Sequence, residues 1–244
     1  MTKFAIVSDI HLDTQTPETL SIIINGLNSV VDSVDAIIIA GDIVNGFANN
    51  VSYWANKFLD KKILDKCIVV HGNHDHWGYS FENTKAAKHP FMKVLDCEVF
   101  EFNGLRIFGG TLWYPYSKDM ERIGKRWPDM AYIAESNNIF LEHSRFIEEL
   151  SKHKNIDIVI SHHLPTFKSV HPTWVGATSN IYFVSNQDKL IEQVSPKVWI
   201  HGHTHEKMNY KFSDKTQVIC NPCGYPFEIA NDYAPLIITV GEGA

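Results

Sequence analysis

A chain of 244 residues with 44% hydrophobic and 20% charged residues has the balance of a globular protein and is long enough to bury a substantial core. Its formal net charge of -6 argues against a broad basic face for gripping a long nucleic acid, though not against a short nucleotide whose phosphates are met by metal ions. No apolar run is long enough to span a bilayer.

Phe4-Ala5-Ile6-Val7 is a continuous apolar run, the pattern of a strand buried on both faces, and it ends at Asp9-Ile10-His11. Residues 17–34 read as a helix, with Pro17 and Glu18 at its start and Leu20, Ile23, Ile24, Leu27 and Val31 at helical spacing. Residues 35–40 predict a second buried strand ending at Gly41-Asp42, residues 53–64 a second helix, and residues 67–70 a third strand ending at Gly72-Asn73-His74-Asp75. This alternation implies right-handed crossovers and a largely parallel sheet, in which ligands bind beyond the carboxyl ends of the strands.

Residues 98–102 and 105–109, joined through Asn103-Gly104, read as a hairpin. Residues 111–127 are rich in aromatic and basic side chains without a clean period, and the stretch to about residue 135 is expected to be a long loop or partial lid. A helix is predicted over 136–152, a strand over 156–160 ending at Ser161-His162-His163-Leu164-Pro165, and a short helix over 187–194. The strand at 198–200 runs into His201-Gly202-His203-Thr204-His205, and residues 217–220 and 236–240 supply closing strands. No linker or repeat interrupts the chain, so one α/β domain spanning 1–244 is expected. The N-terminus shows no secretory apolar core with a cleavage site, and four irregularly spaced cysteines fit a reducing compartment, so a cytoplasmic location is expected. Cys220-Asn221-Pro222-Cys223 has C-x-x-C spacing but no second pair and no thioredoxin-like context, and reads as a strand end and turn.

Five strand ends thus carry Asp9 with His11, Asp42, Asn73 with His74 and Asp75, His162 with His163, and His203 with His205. Each alone is explicable as turn chemistry or a structural histidine. Together they offer carboxylate, amide and imidazole donors suited to divalent ions such as manganese, iron or zinc. The donors exceed one tetrahedral site, so two ions sharing a carboxylate are the natural reading.

The ordered set D-I-H, G-D, G-N-H-D, H-H-L-P and G-H-T-H, running from Asp9 to His205, resembles the calcineurin-like metallophosphoesterase superfamily, in particular its small bacterial and phage members. The resemblance implies the four-layer metallophosphatase fold, a sandwich of two β-sheets flanked by helices. It implies that Asp9, His11, Asp42 and His205 hold one metal, and Asp42, Asn73, His162 and His203 the second, with Asp42 bridging. It places His74 beside the substrate phosphate as a catalytic group and Asp75 as the group that orients its ring. The first histidine of the His162-His163 pair is the implied ligand. The implied reaction is hydrolysis of a phosphate monoester or diester, on a small molecule or nucleotide, by a hydroxide bridging ions ~3.5–4 Å apart.

Two departures narrow the substrate. The phosphoprotein phosphatases of the superfamily carry G-D-x-x-D-R-G and G-N-H-E where this chain has Gly41-Asp42-Ile43-Val44-Asn45-Gly46 and Gly72-Asn73-His74-Asp75, so the phosphoryl-gripping arginine is absent. An arginine common at the position of Cys223 in small members is also absent. Candidate substrate contacts are Trp113, Arg122, His171 and Trp174, the aromatics for stacking and the arginine for a second phosphate. The competing reading is a non-catalytic protein-binding scaffold that keeps the fold. Scaffolds of this kind typically lose metal ligands, and none is lost here.

Overall fold

The computed structural model describes residues 1–241. The first half of the chain forms β1 (Thr2–Val7), α1 (Pro17–Val30), β2 (Ala36–Ala40), α2 (Phe47–Phe58), α3 (Lys61–Leu64), β3 (Cys67–Val70), α4 (Phe81–Ala86) and β4 (Lys93–Leu95). The second half forms β5 (Glu98–Phe102), β6 (Leu105–Gly109), α5 (Met120–Ile123), α6 (Pro128–Tyr132), α7 (Ile139–Ser151), β7 (Ile158–Ile160), α8 (Asp188–Val194), β8 (Val198–His201), β9 (Met208–Lys211), β10 (Gln217–Cys220) and β11 (Leu236–Val240).

One sheet has the order β11-β1-β2-β3-β4 and the other β5-β6-β7-β8-β10-β9. Both are parallel at the centre, and β11, β5 and β9 are antiparallel edges. The period-2 alternation of strand side chains builds the layers. Phe4, Ile6, Ile38 and Val70 face Ile107, Ile158, Ile160 and Ile200 between the sheets. Ala5, Val7, Ile37, Ile39 and Val69 point outward beneath Ile23, Leu27, Phe47 and Val51 of α1 and α2. Phe108, Val159, Trp199 and Val218 do the same on the second sheet beneath α7 and α8. A strand such as Ala36-Ile37-Ile38-Ile39-Ala40 is apolar throughout because both of its faces are covered.

Some expectations shift at their ends. The helix expected over 53–64 begins at Phe47 and breaks at Leu59, which is extended. The helix expected from 17 to 34 stops at Val30, entered through Thr16 and Thr19, whose side chains cap each other's backbone N–H groups. The segment 111–135 is irregular over 111–119 and then builds short helices. These are α5, a 3₁₀ turn at Gly124–Arg126 and α6. The short strands β4 and β9 and the helix α4 were not anticipated.

Candidate metal centre and its cavity

The segments following β1, β2 and β3 of one sheet and β7 and β8 of the other meet at one edge of the sandwich. Sharp bends bring their side chains inward: Asp9, His11, Asp42, His203 and His205 all adopt left-handed backbone, with φ of 52°, 40°, 53°, 68° and 53°. Two glycines provide the clearance. A Cβ at Gly41 would lie 2.3 Å from His162 Nδ1, and one at Gly72 would lie 2.1 Å from Asp42 Oδ1.

The donor atoms of Asp9, His11 and His205 lie within 4.8 Å of one another, as do those of Asp42, His162 and His203, and those of His11, Asp42 and His74 between them. Two ligands each ~2.1 Å from one ion stand roughly 3.0–3.4 Å apart at octahedral to tetrahedral angles. The spacings match: His11 Nε2 to His205 Nε2 is 3.4 Å, His205 Nε2 to Asp9 Oδ1 3.5 Å, His162 Nε2 to Asp42 Oδ2 3.4 Å, and His162 Nε2 to Asn73 Oδ1 3.0 Å. His203 Nε2 is buried with no hydrogen-bond partner. A nitrogen lone pair left bare in this way suits a cation. The donor set and its spacing therefore fit a pair of divalent ions. His163 stands aside from these groups, its Nδ1 3.4 Å from Thr111 O and its ring 4.3 Å from that of His203.

The groups behind the donors fix their orientation. His162 Nδ1 donates to Ala40 O at 2.9 Å and His205 Nδ1 to Glu228 Oε2 at 2.7 Å, so each ring presents Nε2 to the site. Asn73 Nδ2 donates to Asp129 Oδ1 at 2.9 Å, which turns Oδ1 of the amide toward His162. Asp129 also receives Trp77 Nε1, Tyr114 Oη and Trp127 Nε1, which makes it a fully buried carboxylate with four donors.

Burial opposes the charge of every group here, and the outcome depends on neighbours. It would raise the Asp42 carboxyl, but His162, His74 and His11 hold it well below the ordinary carboxylate range. Asp9 is likewise lowered despite burial, by the hydrogen bond and charge of His205. Burial would lower His162 and His205, yet Asp42 lifts the first to about 9, and Asp9 and Glu228 lift the second to about 10. His11 goes the other way, to about 4, because burial outweighs Asp42. Without metal the site thus pairs two ionised carboxylates with protons on His162 and His205, which bound cations would displace.

The calcineurin-like phosphoesterase family model matches residues 2–207. The chain belongs to this family. Three solved structures share its fold. The phosphopantetheinyl hydrolase of Mycobacterium tuberculosis superposes with a TM-score of 0.67 at 16% identity, covering 93% of this chain and 90% of that one. GAP50, the anchor in the inner membrane complex of Plasmodium, gives 0.54 at 14% identity, with 91% and 71% covered. TT1561 of Thermus thermophilus gives 0.50 at 12% identity, with 91% and 89% covered. Comparison with the curated proteins yields no match.

Within this family fold, His74 and Asp75 are arranged differently from the sequence expectation. The His74 ring does not rest on Asp75. Its Nδ1 donates to Asn45 Oδ1 at 2.7 Å, and Asn45 Nδ2 in turn donates to Asp13 Oδ2 at 2.8 Å, which fixes the amide's orientation. His74 Nε2 is left to accept from Tyr225 Oη at 3.2 Å. Asp75 instead receives the backbone N–H groups of Gly72, Ile43 and Val44 at 2.7, 3.1 and 3.1 Å, tying the loop after β3 to the loop after β2. Burial and the charge of Asp42 raise its carboxyl to about 8.

A cavity of about 680 Å³ opens beside these residues. His171 and Trp174 line it. Trp113 does not. It is 2% exposed, packed against His76, Phe81 and His163. Arg122 also stays out of the cavity, exposed at the surface, and its carbonyl caps the guanidinium of Arg126. Trp127, Asn180, Tyr225 and Glu228 are also in the wall. His201 is buried inside β8, its Nδ1 bonded to Gly202 O, and carries no donor to the site. Among the described residues no helix is long and apolar enough to cross a membrane.

Proposed function

We propose that this chain is a dinuclear metal-dependent phosphoesterase acting on a small phosphorylated compound. The observation that carries the reading is Asp42, whose carboxylate belongs to two adjacent donor groups, one reaching His11 and the other His162 and His203. In this reading Asp9, His11, Asp42 and His205 hold one ion, and Asp42, Asn73, His162 and His203 the other. Two bound divalent ions would supply a water of lowered pKa as nucleophile and would neutralise phosphate oxygens.

The chain's own residues do the rest. His74 presents Nε2 to the cavity while Asn45 and Asp13 lock its tautomer. An anionic phosphate beside the ring favours its protonation, and Nε2–H then donates to the leaving alkoxide, a step worth ~10²–10⁴-fold. Tyr225 Oη, 3.2 Å from Nε2, holds the ring's orientation before substrate arrives. The segment 111–135 walls one side of the cavity through Trp127, Pro128 and Asp129, as part of a single domain. The scaffold alternative is weakened by the complete donor set and by His74, for which a structural ion has no use.

The test is reconstitution of the full chain with manganese, iron or zinc. About two ions per chain and release of p-nitrophenol from bis-p-nitrophenyl phosphate are expected, both lost in Asp42→Asn. Zero turnover across manganese, nickel, cobalt, iron and zinc would favour the scaffold.

A further inference from the structure

We infer that the cavity selects phosphate esters whose alcohol is apolar and bears no second anionic group. The inference rests on the phosphoesterase reading for its placement of the phosphoryl end, at Asp42, Asn73 and His203 in the cavity floor. The remainder of the wall must then receive the alcohol. That wall is aromatic: Trp77, Trp127, Trp174, Phe183 and Tyr225 face the space, supplemented by Leu164 and Val170. The apolar surface continues outward through Val175 and Phe227, 72% and 84% exposed, the latter stacked on Tyr225 at 5.9 Å.

The charge pattern is one-sided. Glu206 and Glu228 line the cavity, and no lysine or arginine is among its described lining residues. Three basic side chains of the neighbouring segments are committed elsewhere. Arg126 donates to the carbonyls of Arg122 and Ile123, Lys168 Nζ sits 4.0 Å over the Phe212 ring, and Lys207 Nζ sits 5.2 Å over Tyr233. Asn180 spends Nδ2 on Trp174 O at 2.8 Å. A second phosphate in this space would shed water against Glu206 and Glu228 and meet no lysine or arginine among the described lining residues. A flat apolar group would instead gain contact with the tryptophan faces, and an alcohol carrying an ammonium group would find Glu206.

A matched pair of substrates tests this with the full chain loaded with manganese: the p-nitrophenyl ester of thymidine 5′-phosphate, and the same ester bearing an added 3′-phosphate. The expected kcat/KM is lower by roughly tenfold or more for the second ester, and Glu206→Lys narrows that gap. Equal or higher kcat/KM for the 3′-phosphorylated ester overturns the inference and leaves the phosphoesterase reading standing. No turnover of either ester with manganese, nickel, cobalt, iron or zinc counts against that reading, and binding then decides the cavity's preference. Quenching of the cavity tryptophans is expected to report tighter binding of thymidine 5′-phosphate than of thymidine 3′,5′-bisphosphate. Equal or tighter binding of the bisphosphate overturns the inference by this second route.

Discussion

Asp129→Asn perturbs the junction between the aromatic wall and the donor cluster at a single atom. Oδ1 of the carboxylate receives Asn73 Nδ2 and Trp77 Nε1, and Oδ2 receives Tyr114 Oη and Trp127 Nε1. An asparagine keeps one acceptor and turns the other into an NH₂ group aimed at donors. The Tyr114 hydroxyl can rotate and accept, but an indole N–H cannot. With the NH₂ group turned toward Tyr114 and Trp127, the Trp127 indole alone loses its partner, at about 1–3 kcal/mol, and the relief of a buried charge gives part of this back. The net loss is about 1–2 kcal/mol, or roughly 2–8 °C in Tm for a chain of this length. If the Asn73 amide also turns, its oxygen leaves the site, and a supporting contact of this kind is worth ~10–100-fold in metal affinity. Thermal denaturation with and without manganese, together with calorimetric titration of the metal, measures both effects. A variant that melts within about 2 °C of the parent and binds manganese equally well refutes the reasoning.

His74→Asn is expected to cut turnover by ~10²–10⁴-fold while metal content stays unchanged, because its ring nitrogens are directed at Asn45 and Tyr225. Loss of an ion would instead make the ring a ligand. Gly72→Ala places a Cβ 2.1 Å from Asp42 Oδ1 and is expected to abolish stoichiometric metal binding, read by elemental analysis; full loading would show that Asp42 can move aside. The metal-free protein is expected to lose stability in acid, partly through His71, which burial lowers to about 4. The folded state holds this ring neutral while the unfolded chain protonates it near 6.5. Its contribution of ~3 kcal/mol is therefore present above pH ~6.5 and lost as pH falls toward ~4. Denaturation of His71→Phe at pH ~7 and pH ~5 is expected to show a shallower decline, and an unchanged decline would assign the acid limb to other groups.

The sheets were legible because buried central strands leave uninterrupted apolar runs. Ile37-Ile38-Ile39 needs no alternation when α1 covers one side and the second sheet the other. The residues that come together at the site were legible for a related reason: in parallel sheets the chemistry collects at strand ends, so polar residues directly after such runs stand out. What surrounds them was not legible. Asn45, Tyr225 and Glu228 reach the site only through loop paths and Asp129 from the short helix α6, and nothing in Pro128-Asp129-Met130 distinguishes a four-donor carboxylate from a solvated one. The aromatic segment was equally opaque. Trp113 and Trp127 look alike in sequence, but one is packed under α4 and the other faces the cavity. Edge strands β4 and β9 span three and four residues with partly exposed faces, too short for a period to emerge.

The left-handed backbone at Asp9, His11, Asp42, His203 and His205 sets stability against function. Each such residue costs on the order of 1–3 kcal/mol, less for the aspartates, so together they represent a sizeable fraction of a net folding free energy of ~5–15 kcal/mol. Glycine would relax every one of these positions and remove a donor in the same step. A population of variants selected for heat resistance alone would therefore drift toward a sandwich that is sturdier and chemically blank. The donor cluster persists only where something other than folding keeps choosing it.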